Sequence, residues 1–448
     1  MLRLSWTQPE DLIPHALVAA ELDGRDVATA RARWVEAGGS LDAAVSGATA
    51  EPAPTELRAL ARGLMNDIDG ASLPADLASA EPNDLEQMLV AAPGGWEGPT
   101  DTTDDRVLGA WLGRAAGCLL GKPVEKISRE GIRAIAESTG NWPVAGYFTE
   151  IGLDPEVAAQ YPWNRRSRPT SLVENIDGMP EDDDLNFPLI ALDLLERVGT
   201  GFTTDDVAQS WLANLPGGRV FTAERIAYRN LLDGFEPEEA GSVGNPFQDW
   251  IGAQIRSDVY GWASPGRPEA AARLAHTDAR LSHSRNGVYG ACFAAAAASA
   301  AITAATVDDV IVAGLSVVPA RSRYATAIAR GVELGRSDLD DEAAIDAVYA
   351  NYGHLHWVHV LNNAALLTFA LTRSGGDFAR AVTLAVSGGW DTDSTGATAG
   401  AICGALAGAS ALPAAFIDPL HNRLASSVPG FDGIGFDELA RRTREVAA

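Results

Sequence analysis

Apolar residues along most of this chain recur at intervals of three and four, the spacing that places them on one face of an α-helix. In the first part of the chain the pattern predicts helices over 9–20, 25–37 and 55–65. No segment shows the repeated alternation of apolar and polar residues that is typical of a β-sheet. We therefore expect an all-α protein.

Helix-breaking residues divide the chain near position 97. Residues 92–100 contain three glycines and two prolines, as expected of a linker. Residues 1–95 carry 15 acidic and 6 basic side chains, about twice the net negative charge per residue of the remainder. The sequence thus predicts an acidic N-terminal helical segment at 1–96, without indicating its role, and a compact multi-helix domain at 97–448.

The composition of the 448 residues is that of a globular protein with a strong acidic excess. Apolar residues make up 46% of the chain, enough for a large core, and the net charge is −26. Because nucleic acids and anionic membranes attract Lys and Arg, we expect no nucleic-acid polymer and no membrane as partner. Two uncharged stretches, 286–307 and 394–417, are long enough to span a bilayer, but their Ala, Gly, Ser and Thr content predicts buried helices.

The cysteines and the N-terminus indicate a reducing compartment. Cys118, Cys292 and Cys403 are far apart and lie among small apolar residues, as core thiols do. The first residues lack the basic start and the apolar run of a secretory signal. We expect a cytoplasmic protein.

Two stretches carry glycine at every fourth position. Each glycine inside a helix costs about 1 kcal/mol relative to alanine, so a row of four needs a compensating gain. Residues four apart share one helix face, and a face of glycines lets another backbone approach closely. The two stripes consist of Gly109, Gly113, Gly117 and Gly121, and of Gly396, Gly400, Gly404 and Gly408.

Two acidic clusters lie at predicted helix starts. The run 181–184 has four consecutive carboxylates and no basic residue within twelve positions on either side. Asp391 and Asp393 follow a Gly-Gly pair and precede the second glycine stripe. Each cluster fits either a solvated helix cap or a cation site. Oxygen ligands without His or Cys favour Mg²⁺, Mn²⁺ or Ca²⁺, and two such clusters from different helices can hold two ions.

The order of these motifs resembles the ADP-ribosylglycohydrolase family, which includes the dinitrogenase-reductase-activating glycohydrolases. Three segments carry the resemblance: 105–125 with the first glycine stripe, the acidic run 181–184, and Gly-Trp-Asp-Thr-Asp-Ser at 389–394. The resemblance implies an all-α fold with a binuclear Mg²⁺ site, in which Mn²⁺ can substitute. It also implies hydrolysis of the glycosidic bond between ADP-ribose and an acceptor.

The resemblance further implies roles for individual residues. Proton transfer would fall to Glu125, Asp183 or Asp184. Substrate contacts would include His283 and Trp390. The implied metal ligands are Glu181, Asp182, Asp183, Asp391, Asp393 and Ser394.

Four positions depart from the family pattern. Glu181 and Ser394 replace Thr, Cys118 replaces an Asp, and Trp390 replaces a Gly beside the metal ligands. Metal-assisted hydrolysis is still expected, whereas three functions remain open. They are hydrolysis of ADP-ribosylated acceptors, N-glycosidase action on a nucleoside or nucleotide, and a non-catalytic binding role. The last is disfavoured because every ligand position retains an oxygen donor.

Few basic residues are suited to the phosphates of such a substrate. An arginine guanidinium can donate two parallel hydrogen bonds to a phosphate, and three arginines lie in the long irregular region 139–180. The alternative interpretation is that these arginines form a surface patch paired with acidic residues. The candidates are Arg165, Arg166 and Arg168, and the chain's only lysines, Lys122 and Lys126, which flank Glu125.

Overall fold

Helices form all of the regular secondary structure in the described part of the chain. The computed structural model describes residues 3–447, which contain 24 α-helices, several short 3-10 turns and no β-strand. Three isolated backbone bridges are the only β-type pairings in this range. The predicted all-α class is confirmed.

Five helices precede the predicted boundary, and residues 92–103 contain none. The first three helices begin within three residues of their predicted starts. The five are α1 (Pro9–Leu22), α2 (Ala28–Glu36), α3 (Thr55–Asp69), α4 (Ala75–Ala80) and α5 (Leu85–Ala91).

Nineteen helices follow in the larger part of the chain. The first ten are α6 (Asp104–Gly121), α7 (Arg129–Ser138), α8 (Pro155–Gln160), α9 (Arg168–Ser171), α10 (Asp183–Val198), α11 (Thr204–Asn214), α12 (Thr222–Leu232), α13 (Pro237–Ala240), α14 (Asp258–Trp262) and α15 (Pro268–Ala279). The others are α16 (Arg285–Ala301), α17 (Val307–Leu315), α18 (Arg323–Gly335), α19 (Asp341–Tyr352), α20 (Val360–Ser374), α21 (Phe378–Ser387), α22 (Thr392–Ala407), α23 (Ala414–Ile417) and α24 (Phe436–Val446).

The two glycine stripes pack against each other, with α6 and α22 running antiparallel. A Cβ atom placed on Gly117 would lie 2.0 Å from the carbonyl oxygen of Gly396, and the same contact repeats one turn away on either side. Only glycine permits backbones to touch in this way. At the end of the contact Gly121 meets the backbone of Thr392, so the C-terminus of α6 lies against the N-terminus of α22.

The N-terminal segment is joined to the rest of the protein by apolar and ionic contacts. Trp6 and Leu64 share a buried core with Phe247 from the larger part of the chain. Arg285, at the start of α16, donates two hydrogen bonds of 3.0 and 2.6 Å to the carboxylate of Asp23. Because these contacts are buried, the segment adds a second, smaller core beside the main one.

The stretch 286–307 lies mainly in the buried helix α16, and residues 394–407 of the second stretch lie in the buried helix α22, whereas residues 408–417 form short, partly exposed helical turns. Within residues 3–447, none of the helices has both the length and the hydropathy of a bilayer span. The three cysteines are free and buried, in agreement with the expected core thiols.

The irregular region 139–180 contains only two short helices, α8 and α9. It is held to the main core by Phe148, which is fully buried, and by Tyr147, whose hydroxyl donates to the carbonyl of Phe416 at 2.8 Å. The amide of Asn164 donates to the carbonyl of Pro123 at 3.0 Å. This region therefore lies beside the turn that follows α6.

Candidate active site

Three helix ends bring acidic residues together. Asp182 is the N-cap of α10, where its side chain accepts a hydrogen bond of 2.9 Å from the amide of Asp184. Asp391 is the N-cap residue of α22. Glu125 follows the short turn that ends α6. The glycine contact between α6 and α22 holds the end of α6 beside the start of α22. The positions of Glu125 and Asp391 therefore depend on this close backbone approach.

The first acidic group consists of Cys118, Asp182 and Asp184, with one ligand atom of each within 4.8 Å of the others. Two basic side chains already lie against it. Lys122 forms a buried ion pair with Asp182, and the guanidinium of Arg114 lies 3.7 Å from Asp184 Oδ1. That oxygen is buried and accepts no hydrogen bond from the described residues. The first group thus combines two carboxylates, a thiol and two cations, of which Arg114 also pairs with the buried Asp258 at 2.6 Å.

The second acidic group consists of Glu125, Asp391 and Asp393, again with one ligand atom of each within 4.8 Å of the others. Glu125 Oε2 accepts a hydrogen bond of 2.6 Å from Asn164, and its Oε1 lies 3.1 Å from Lys126 Nζ. Three carboxylates therefore share one adjacent ammonium.

Ser394 connects the two groups. Its amide donates to Asp393 Oδ1 at 3.2 Å, and its hydroxyl donates to Asp184 Oδ2 at 3.4 Å. The two groups are therefore neighbours and form one site.

Burial and mutual repulsion disfavour most of the ionised carboxylates. Burial first, then Asp393 and Glu125, raises the pKa of Asp391 well above its usual value. Burial and then Glu125 raise the pKa of Asp393 to about 8. At Asp182 burial also acts to raise the pKa, but the nearby Lys122 outweighs it and lowers the pKa. Because a nearby cation favours the ionised form, a bound cation would lower the pKa values of Asp391 and Asp393.

The backbone is strained on both sides of the second group. Lys126, directly after Glu125, has a φ of 71°, and Trp390, directly before Asp391, has a φ of 64°. Such left-handed conformations cost a non-glycine residue about 1–3 kcal/mol and persist where the surroundings enforce them. This strain fixes the direction in which two of the three carboxylates leave the chain.

Not all predicted metal ligands lie at these groups. The Glu181 carboxylate is bound elsewhere: it lies 2.9 Å from Arg219 and accepts hydrogen bonds of 3.1 Å from Asn186 and from the amide of Ser427. Asp183 belongs to neither group, but burial and then the charges of Asp182 and Asp393 raise its pKa. The predicted ligands at the groups are Asp182, Asp391, Asp393 and Ser394.

The predicted substrate contacts His283 and Trp390 are buried. Nδ1 of His283 is hydrogen-bonded to Ser282 Oγ at 2.8 Å, and its Nε2 has no hydrogen-bond partner in residues 3–447. The indole of Trp390 stacks on Tyr349 with ring centroids 4.2 Å apart. Neither side chain hydrogen-bonds to the acidic groups among the described contacts, so both roles stay predictions.

The three arginines predicted to bind phosphate have different surroundings. Arg168 donates two hydrogen bonds of 2.6 Å to Glu150, the surface pairing that was the alternative interpretation. Arg166 lies 5.7 Å above the ring of Phe221. Arg165 is exposed and forms no ion pair with residues 3–447. Arg165 and Arg166 thus remain available to an anionic ligand.

Four side chains at the site lie outside the predicted catalytic and metal-ligand set. Asn164, which binds Glu125, comes from the irregular region and had no signal in the sequence. Arg114, Cys118 and Lys122 each directly follow a glycine of the first stripe. Because residues four apart share a helix face, this spacing places all three along one line beside the glycine contact. The sequence therefore indicates which face of α6 lines the first group.

Together, the fold and the site define an all-α protein with two adjoining acidic groups at helix ends. The family model described as ADP-ribosylglycohydrolase matches residues 99–447. The chain belongs to the ADP-ribosylglycohydrolase family, as its motifs predicted. Among solved structures, one titled "ADP-ribosylglycohydrolase-related protein complex" is 20% identical and covers 77% of this chain and 99% of its own, with a TM-score of 0.45. No curated protein matches the chain.

Family membership and the acidic groups together support a glycohydrolase. The second group fits a hard divalent cation, because it offers three carboxylates within 4.8 Å and no nitrogen ligand. Asp391 and Asp393 repel each other and Glu125, and a cation bound among them would relieve that repulsion.

Proposed function

We propose that the protein is a Mg²⁺-dependent hydrolase, with Mn²⁺ as a substitute, that cleaves the glycosidic bond of ADP-ribosylated acceptors. The observation that carries the proposal is the convergence of Glu125, Asp391 and Asp393 from two helix ends. A ribosyl bond breaks through an oxocarbenium-like state, and its hydrolysis needs a positioned water and a proton acceptor, which this group could supply together with a bound cation.

The chain's own side chains can be assigned to the remaining tasks. Asp391 and Asp393 would hold the divalent ion, which supplies polarisation of sugar and water oxygens when bound. Glu125, fixed by its 2.6 Å hydrogen bond from Asn164, would accept the proton of the attacking water. Asp183 would donate a proton to the leaving group.

The phosphates of the substrate would bind Arg165 and Arg166. Exchange of either for alanine should raise KM for a phosphorylated substrate and leave KM for a nucleoside unchanged. Arg168→Ala is the matched control, because its guanidinium is already held by Glu150. Equal effects of all three exchanges on both substrates would contradict this assignment.

A second candidate function is N-glycosidase action on a small nucleoside or nucleotide. It is favoured by the N-terminal segment, which borders the site. Trp357 Nε1 donates to the carbonyl of Val45 at 3.4 Å, and Lys126, next to Glu125, lies 5.1 Å from the Trp357 ring. The segment thus lies near Glu125, and we infer that it leaves less room there for a protein acceptor than for a nucleoside.

One assay separates the candidates. Release of ADP-ribose from ADP-ribosylated arginine or serine is compared with release of ribose from nucleosides, each with Mg²⁺ and with EDTA. We expect Mg²⁺-dependent release of ADP-ribose, absent in Asp391→Asn. Release from nucleosides alone would establish the second function, and neither activity would leave a non-catalytic binding role.

A further inference from the structure

A buried ammonium group occupies the first acidic group. Lys122 is only 5% exposed. Its Nζ pairs with Asp182 and donates to the carbonyl of Glu181 at 3.2 Å. A buried charge is tolerated only when it is paired, so the ion pair holds this ammonium in place. The adjacent Gly121 abuts the backbone of Thr392, which prevents the chain at Lys122 from moving away.

The first group already contains basic side chains. Its two carboxylates, Asp182 and Asp184, face Lys122 and Arg114, and Arg114 also pairs with the buried Asp258 at 2.6 Å. The one oxygen without a hydrogen bond, Asp184 Oδ1, lies 3.7 Å from the Arg114 guanidinium. The third member, Cys118, offers sulfur, which is a poor ligand for Mg²⁺. A divalent ion entering here would have to displace Lys122 and would find one oxygen ligand fewer than the second group offers.

The second group is less well paired. Among residues 3–447, the one ion pair formed by Glu125, Asp391 or Asp393 joins Glu125 to Lys126, whose side chain is 44% exposed. All three carboxylates offer oxygen, as hard cations require. The two halves of the site therefore differ in ion pairing and in donor type.

We propose that Lys122 takes the place of one metal ion, so that the protein binds a single divalent cation at the second group, held by Asp391 and Asp393 beside Glu125. This inference rests on the proposed metal-dependent function and replaces the expectation of two ions. Lys122 then provides a permanent positive charge at Asp182, and the exchangeable ion provides the other.

Metal stoichiometry tests the proposal without an activity assay. Binding of Mn²⁺ to the full chain is measured by equilibrium dialysis and by electron paramagnetic resonance. We expect one Mn²⁺ per wild-type chain, no binding to Asp393→Asn, and one Mn²⁺ per chain in Asp182→Asn. The double variant Lys122→Met with Cys118→Asp restores an all-oxygen first group and should bind two ions with spin-coupled spectra.

The possible results separate this inference from the proposed function. Two Mn²⁺ ions per wild-type chain would overturn the inference and leave metal-dependent hydrolysis standing. No binding by the wild type would overturn both. A single ion that is lost in Asp182→Asn but retained in Asp393→Asn would place the cation at the first group and overturn the inference. If the double variant does not fold, judged by circular dichroism, the wild type and the two single variants still decide.

Discussion

Substitution of Gly117 by alanine tests the contact on which the site is built. In most helices this exchange is stabilising, because alanine favours the helix by about 1 kcal/mol. Here the added Cβ would lie 2.0 Å from the carbonyl oxygen of Gly396 and 2.6 Å from its carbonyl carbon. Both atoms belong to the backbone, so no side chain can rotate to make room.

The expected magnitude follows from the distance. Ordinary contacts of a Cβ begin at 3.4 Å, so α6 and α22 must separate locally by more than 1 Å. Overpacking of this kind costs about 1–3 kcal/mol, and its upper end applies because rigid backbone must move. After the gain in helix propensity, we expect Gly117→Ala to lower the free energy of unfolding by about 2 kcal/mol.

Gly63→Ala is the matched control. Gly63 lies in α3, is exposed, and has no atom within 4 Å of an added Cβ. It should therefore raise the free energy of unfolding by up to about 1 kcal/mol. Urea unfolding followed by tryptophan fluorescence measures both variants. If Gly117→Ala stabilises the protein as Gly63→Ala does, the two stripes do not touch and do not position the acidic groups.

The site and the N-terminal contact give three further predictions. Asp391→Asn should lower kcat at least about 100-fold. The same change should stabilise the metal-free protein against urea, because burial and Asp393 disfavour the ionised carboxylate that it removes. A loss of stability in this variant would contradict the second expectation. Asp23→Asn should lower the free energy of unfolding by about 3 kcal/mol, since it leaves Arg285 buried without its main partner, whereas the exposed Asp42→Asn should change nothing measurable. Burial acts to raise the pKa of Asp23, but Arg285 and Arg323 outweigh it and lower the pKa below the usual 3.8. The ion pair of Asp23 therefore stabilises the protein above that pH, and this stability is lost as the pH falls through the lowered pKa. Proteolysis of the N-terminal segment should begin only below about pH 4. Cleavage of the segment near pH 6 would refute this role of the ion pair.

The sequence predicted those features that depend on local spacing. The period of apolar residues gave the three N-terminal helices to within a few residues of their ends. The glycine stripes indicated close backbone packing, because a row of glycines on one face has few other uses. That the two stripes contact each other is a tertiary contact, which the sequence alone does not predict and which the antiparallel packing of α6 and α22 shows.

The assignment of individual ligands was less predictable from the motifs. The run 181–184 supplies one residue, Asp182, to a helix cap and turns its neighbour Glu181 toward Arg219. Which of four consecutive carboxylates faces the site depends on where α10 begins, and a shift of one residue rotates every side chain by about 100°. The pairing of Lys122 with Asp182 joins residues 60 positions apart, so no local pattern could indicate it.

The acidity of the chain has a different meaning at the site than at the surface. Over the surface, the excess behind the net charge of −26 is solvated. Within the site, Lys122 already pairs with Asp182 in the first group, whereas the second group has repelling carboxylates and a strained backbone at Lys126 and Trp390. Because a bound cation would relieve that repulsion, the folded protein is expected to gain stability from a single divalent ion, and the position of that ion follows from where the fold has left its charges unbalanced.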